Sequence, residues 1–152
     1  MDHEQAFRDG AAPGEWLLLD ALRRWAAVRM RRGAPEASVR QLFAWRTSPR
    51  AGAMFSAWMQ LVESQRRRPI QIHCLPCAGA SLDERCLVAS VGVSAVDLEV
   101  GGALLGQMVE NPGEVMVLGR SLNLALSASG LALPARLCDK CAARRPQAAT
   151  LH

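Results

Sequence analysis

Two Cys-x2-Cys pairs, separated by sixty residues, constrain this 152-residue chain more than any other feature of its sequence. Cys74 pairs with Cys77, and Cys138 pairs with Cys141. Each pair can curl so that both thiolates face one cation, and two such turns complete the tetrahedral coordination of Zn²⁺. We therefore predict one structural four-cysteine zinc site. Iron also accepts four thiolates, and the spacing does not distinguish the two metals.

The segment between the pairs is longer than in a compact zinc ribbon. This length is tolerable because loop-closure entropy grows only logarithmically and because the segment reads as antiparallel helices whose ends can return to one place. Two alternatives use the same residues. Cys74-Leu75-Pro76-Cys77 has the C-x-P-C form of thioredoxin-like redox dithiols, although such folds need several βαβ strands and leave Cys138 and Cys141 unexplained. Unligated thiols are the third interpretation.

Two further residues near the first pair are predicted not to bind the metal. His73 adjoins Cys74, and adjacent residues rarely both reach one metal, so we expect it beside the site or facing solvent. Cys86 falls on the apolar side of a predicted helix, and a buried thiol is the expected outcome.

Apolar periodicity and capping residues predict a mainly α fold, a small helical domain stapled by the zinc site. One short extended segment, Ile70–His73, is expected before the first cysteine pair, and Gly33 is expected to end the first helix. The predicted helices span residues 15–32, 35–46, 49–64, 82 to about 95, 97–109 and 114 to about 129. The glycines at 101, 102 and 106 weaken the fifth of these.

The chain is predicted to contain two helical halves and a tail. Residues 1–70 form a basic half rich in Trp and Arg, residues 71–145 form a half bracketed by the cysteine pairs, and residues 146–152 form a polar tail. Half of the residues are apolar and 21% are charged, which is typical of an ordinary globular protein. No apolar run approaches the length of a membrane span, and no signal peptide is evident, so a cytoplasmic protein without a membrane partner is expected.

Positive charge is concentrated in the first half. Between residues 21 and 70 there are eleven arginines against Glu36 and Glu63. Lys140 is the only lysine and tyrosine is absent, a bias that indicates a high-GC bacterial genome. Arginine-rich helices can contact phosphates, so a nucleic-acid-binding regulator associated with transcription is the first functional hypothesis. The candidate contacts are Arg29, Arg31, Arg32, Arg66, Arg67 and Arg68.

Catalysis is not expected. The chain has no P-loop, no G-x-G-x-x-G after a strand, no G-x-S-x-G and no H-E-x-x-H. Only His73 lies away from the termini, and four cysteines would leave zinc no open coordination position. The second hypothesis is a protein–protein adaptor or small partner subunit that binds no nucleic acid. In both cases zinc would act as a structural cofactor. The sequence does not identify the partner or the oligomeric state.

Overall fold

The computed structural model describes residues 10–137, and within that range it contains six α-helices and no strand. The prediction of a mainly α fold is confirmed. None of these helices is long and apolar enough to cross a bilayer. The helices are α1 (Pro13–Met30), α2 (Glu36–Arg46), α3 (Pro49–Gln65), α4 (Leu82–Val93), α5 (Leu98–Leu105) and α6 (Pro112–Ser127).

Two helix starts follow the capping residues that the sequence provides. The Ser48 hydroxyl accepts a hydrogen bond from the Ala51 N–H at 3.2 Å, and Pro49 is the first residue of α3. Ser81 and Glu84 form the predicted capping box at the start of α4. Both contacts satisfy backbone N–H groups that have no partner within the helix.

Three local predictions need correction. Residues 70–73 do not form a strand, although the N–H groups of Gln71 and His73 both donate to carboxylates of α4. Helix α5 ends at Leu105 instead of near Val109, because the chain turns at Gly106 and the backbone at Val109 pairs with Arg66. The left-handed residue at the end of α1 is Arg32, with a φ of 58°, and not the following Gly33.

Aromatic side chains from the first three helices form the centre of the core. Phe55 lies 6.0 Å from Trp25, 5.3 Å from Phe43 and 5.9 Å from Trp58, measured between ring centroids. All four side chains are at most 1% exposed. Burial of such large apolar side chains is a main source of folding free energy.

The core continues from the first half into the second. Helix α3 runs antiparallel to α6, since Gln65 contacts Glu114 through a 2.7 Å hydrogen bond and Trp58 packs beside Gly119. Leu87, Val91, Leu122 and Leu126 belong to the same hydrophobic cluster as the four aromatic residues.

Residues 131–137, here called the C-terminal strap, cross the pair formed by α1 and α4. The backbone of Leu131 and Pro134 lies so close to Gly14 and Gly92 that a Cβ atom at either glycine would overlap a carbonyl oxygen. Leu133 is buried, and its N–H donates to the Asn123 side chain at 2.9 Å. The strap thereby brings the end of the described chain back to the start of α1.

Candidate metal site and basic surface

The first cysteine pair forms a tight turn between the end of α3 and the start of α4. Cys74 and Cys77 are joined by a disulfide, with Cα atoms 5.3 Å apart, and the Cys77 N–H donates to the Cys74 carbonyl at 3.1 Å. Leu75 and Pro76 at the tip are exposed. The turn brings both sulfurs to one place, which is the arrangement that half of a four-cysteine zinc site requires, provided that both thiols are reduced.

The second half of the predicted site, Cys138 and Cys141, lies outside the described residues. Among residues 10–137 no group of three or more Cys, His, Asp or Glu side chains is placed to hold a metal ion. The four-cysteine site therefore stays a prediction, and it requires that the Cys74–Cys77 disulfide be reduced. Cys86 is fully buried and is not part of the disulfide, as expected.

A buried ion pair between α1 and α4 holds the cysteine turn in place. Arg23 of α1 donates from Nε to Glu84 Oε1 at 2.9 Å and from Nη1 to the Cys77 carbonyl at 2.9 Å. Its Nη2 also donates to the Gly79 carbonyl. Arg23 is 4% exposed and Glu84 is fully buried, so each charge depends on the other and on the loop for its hydrogen bonds.

Glu84 holds the other side of the same loop. Its carboxylate accepts from the His73 N–H at 3.0 Å and from the Ser81 N–H at 2.8 Å. His73 itself is one-third exposed, and its Nδ1 lies 3.3 Å from the Gly79 carbonyl. The loop from residue 73 to residue 81 is thus held at both ends by Glu84 and in its middle by Arg23. The sequence indicated Glu84 as a capping residue but gave no indication of its partner, which is 61 positions away.

The arrangement of these residues differs from that of a thioredoxin-like dithiol. Such a dithiol places its reactive cysteine at a helix N-terminus after a strand, where the helix lowers the thiol pKa. Here α4 begins only at Leu82, and no strand precedes Cys74 in the described part of the chain. The described residues therefore do not form a thioredoxin-like site, although the disulfide joins the two cysteines that the redox interpretation pairs.

The predicted basic residues gather around the paired ends of α1 and α3. Glu63 of α3 accepts from Trp25 Nε1 at 2.9 Å and from Arg29 Nε at 3.0 Å, so both helices end side by side. The Arg29 guanidinium also lies 5.4 Å from the Trp25 ring. This contact brings the arginines after α1 and those after α3 to the same end of the molecule.

Half of the candidate arginines serve the fold. Arg68 binds Asp83 through two hydrogen bonds of 2.8 Å, and these bonds raise the pKa of Arg68 above its ordinary value. Arg67 donates to the Val109 carbonyl at 3.2 Å, and Arg29 is paired with Glu63. These three side chains are therefore less suited to phosphate binding than the sequence predicted.

The other three candidates, Arg31, Arg32 and Arg66, are exposed, and their side chains make no hydrogen bond or ion pair with any residue in the described range. Arg32 adopts the left-handed conformation that normally favours glycine. A strained residue with an exposed charge is a candidate for function, because its side chain contributes little to the fold.

The four tryptophans differ in burial. Trp25 and Trp58 are core residues and Trp16 is half-buried, but Trp45 is 83% exposed. Its position at the end of α2, beside the exposed Arg46, was not distinguishable in sequence from that of the buried tryptophans.

No family model, curated protein or solved structure shows significant similarity to the chain.

Proposed function

We propose that the chain is a non-enzymatic regulatory protein that binds nucleic acid through the arginines at the paired ends of α1 and α3. A structural zinc ion on Cys74, Cys77, Cys138 and Cys141 would stabilise it. This assignment requires a reducing compartment such as the bacterial cytoplasm, because zinc binds the thiolate and not the disulfide.

The observation that carries this proposal is the shared contact of Trp25 and Arg29 with Glu63. It places Arg31, Arg32 and Arg66 at one end of the molecule, all exposed and without acidic partners among the described residues. Positive charges gathered at one end of the molecule attract a polyanion, which releases its counterions on binding. The neighbouring Met30 is 86% exposed and adds an apolar contact at the same end.

The surrounding charge supports the same proposal. Of the eleven arginines between residues 21 and 70, four are paired with carboxylates of residues 10–137, and the other seven have no carboxylate partner within that range. The four paired residues are Arg23, Arg24, Arg29 and Arg68. If carboxylates of the same chain were paired with all of these arginines, the first half would not present a positively charged surface.

The test is a gel-shift titration with a duplex DNA probe at two salt concentrations. Replacing Arg31, Arg32 and Arg66 together by alanine should weaken binding about tenfold or more, equivalent to about 1.4 kcal/mol. It should also make the log–log salt slope shallower by up to about 2.7, since each lost phosphate contact removes about 0.9. The matched control replaces three exposed arginines elsewhere, Arg40, Arg50 and Arg120, and should have a smaller effect.

Two results would contradict the proposal. If no complex forms at micromolar protein and low salt, the chain does not bind DNA. If both triple variants weaken binding equally, the attraction depends on net charge and not on the ends of α1 and α3.

A protein–protein adaptor is the second candidate, and a different surface favours it. Val117 and Leu124 are 57% and 63% exposed and lie seven residues apart on one face of α6. Exposed apolar residues in such a row suit a helical partner. Under this alternative, Val117→Ser/Leu124→Ser would abolish binding of a purified protein partner, and the arginine variants would leave it unchanged.

A further inference from the structure

The Cys74–Cys77 disulfide joins the two ends of a short turn and connects no other parts of the chain. A disulfide stabilises a fold mainly by constraining the unfolded chain, and this effect is smallest when the closed loop is short. Neither cysteine is part of the hydrophobic core, whose buried side chains hold the helices together. Support of the fold is therefore a weak explanation for a bond between these two cysteines.

The turn keeps the two cysteines together through backbone contacts that do not involve their sulfur atoms. The Glu84 carboxylate accepts hydrogen bonds from backbone N–H groups on both sides of the turn, and Arg23 donates to the Cys77 carbonyl. The Cys77 N–H donates to the Cys74 carbonyl at 3.1 Å. Because none of these contacts depends on the S–S bond, two reduced thiols would stay at a high effective concentration toward each other. The pair can therefore open and close without a rearrangement of the fold.

The cysteines differ in their access from solvent. Cys74 is exposed, as are Leu75 and Pro76 at the tip of the turn, whereas Cys77 is half-buried. Thiol–disulfide exchange begins when a thiolate attacks one of the two sulfurs, and access is one of the factors that decide which sulfur is attacked. Cys86 is fully buried in the core, where a thiol from solution does not reach it. Such a thiol reaches the disulfide at Cys74.

We infer that Cys74 and Cys77 form a reversible exchange site for low-molecular-weight thiols and their disulfides, for which glutathione is the probe. In the reducing direction a thiolate attacks Cys74 Sγ, the S–S bond breaks, and its electron pair leaves on Cys77 Sγ, which takes a proton from water. A second thiolate attacks the added sulfur of the mixed disulfide and releases Cys74. Two small thiols are thereby oxidised to one disulfide, and the protein pair is reduced. Oxidised glutathione reverses both steps.

This exchange would regulate the zinc site, a consequence that rests on the proposed function. Zinc binds thiolates and not a disulfide, so oxidation of Cys74 and Cys77 removes two of its four predicted ligands. The turn would then take part either in zinc binding or in a disulfide, according to the ratio of small thiols to small disulfides around the protein.

The first experiment uses the full-length chain with a chelator, so that zinc takes no part. The folded protein is equilibrated with glutathione buffers from oxidised to reduced, free thiols are blocked with N-ethylmaleimide, and tryptic peptides are analysed by mass spectrometry. The peptide that ends at Arg85 contains Cys74 and Cys77 and no other cysteine. We expect this peptide to change reversibly between the disulfide and the doubly blocked form, while Cys86 stays unblocked until urea unfolds the chain.

Two results of this experiment would overturn the inference. The first is a Cys74–Cys77 disulfide that resists excess reduced glutathione until the protein is unfolded, which is the behaviour of a structural bond. The second is a failure of oxidised glutathione to form that disulfide in the folded, reduced chain.

Two variants test which sulfur reacts with the small molecule. Both carry Cys138→Ser and Cys141→Ser, and one adds Cys77→Ser whereas the other adds Cys74→Ser. Oxidised glutathione should add to the first variant, at Cys74, several-fold faster than to the second variant, at Cys77. Matching thermal unfolding curves show that the two variants are equally folded. Equal rates, or a faster reaction at Cys77, overturn the assignment of Cys74 as the attacked sulfur.

Zinc content separates this inference from the proposed function. If the chelated chain exchanges but the reduced chain never binds zinc, the exchange site stands and the zinc site is rejected. If the reduced chain binds zinc but the chelated chain does not exchange, the zinc site stands and the exchange site is rejected. In a chain that does both, oxidised glutathione should release zinc in step with disulfide formation. Zinc that stays bound while the disulfide forms overturns the regulatory role.

Discussion

Arg32 occupies a backbone position that the chain elsewhere gives to glycine. After α6, Gly130 has a φ of 73°, its N–H donates to Ser127 O, and the Leu131 N–H donates to Leu126 O. The same pair of hydrogen bonds ends α1, where the Arg32 N–H donates to Arg29 O and the Gly33 N–H to Val28 O. This is the Schellman motif, in which the left-handed residue is usually glycine.

Arg32→Gly separates the contribution of the side chain from that of the backbone. Removing the left-handed strain should raise the free energy of unfolding by up to about 1 kcal/mol, or the melting temperature by about 2–4 °C. Arg32→Ala keeps the Cβ atom, and therefore the strain, and should bring no such gain. Both variants should weaken DNA binding equally in the gel shift. A lower melting temperature for Arg32→Gly would instead show that the side chain supports the fold.

Among single residues, the least predictable feature was which charged side chains are buried. The spacing of Ser81 and Glu84 was sufficient to predict the capping box, because both residues act within one helical turn. Nothing local indicates that the same carboxylate is fully buried against Arg23, since that contact joins two helices. In the sequence Arg23 is one of the eleven arginines of the basic half, whereas in the structure it is 4% exposed and binds the cysteine turn.

At the scale of elements, the positions of the helices along the chain were predictable from the sequence, but the contacts between elements were not. Ser48, Ser81 and Asp97 each cap a helix, so the starts of α3, α4 and α5 could be predicted from adjacent residues. The path of the strap could not be predicted in this way. It depends on Gly14 and Gly92, which lie far from it in sequence and let its backbone approach closely. The same limit applies to the Arg68–Asp83 pair, which fixes the end of α3 against α4.

Gly92→Ala tests the packing of the strap. The new Cβ would overlap the Pro134 carbonyl, a backbone atom that can move only if the strap moves. We expect the free energy of unfolding to fall by about 1–3 kcal/mol, measured by urea denaturation. Gly113→Ala is the matched control, since its Cβ would make only an ordinary 3.7 Å contact with Asn111. Its stability should stay equal or rise slightly, as alanine favours a helix over glycine. Equal losses in both variants would exclude the close approach as the cause.

At the scale of the whole molecule, the two cysteine pairs and the basic half depend on the same helix. The side of α1 that carries Glu15 and Arg23 supports the strap and the cysteine turn, whereas its C-terminal end presents Arg31 and Arg32. Binding of one zinc ion by all four cysteines would therefore fix α1 relative to α4 and the strap. Zinc in this arrangement would stabilise the element that presents the basic surface, without any contact between metal and nucleic acid.

The last prediction concerns the metal itself. Protein purified under reducing conditions should contain about one zinc per chain by elemental analysis. Because zinc would bind only the folded chain, its removal by a chelator should lower the free energy of unfolding. The loss would be about 2.7 kcal/mol if free zinc had been one hundred times its Kd. Cys74→Ser should lose the zinc and the same stability, whereas the control Cys86→Ala should retain the zinc, because Cys86 is buried in the hydrophobic core. Unchanged stability after metal removal would reject the structural role, and loss of zinc only in Cys86→Ala would reject the ligand assignment.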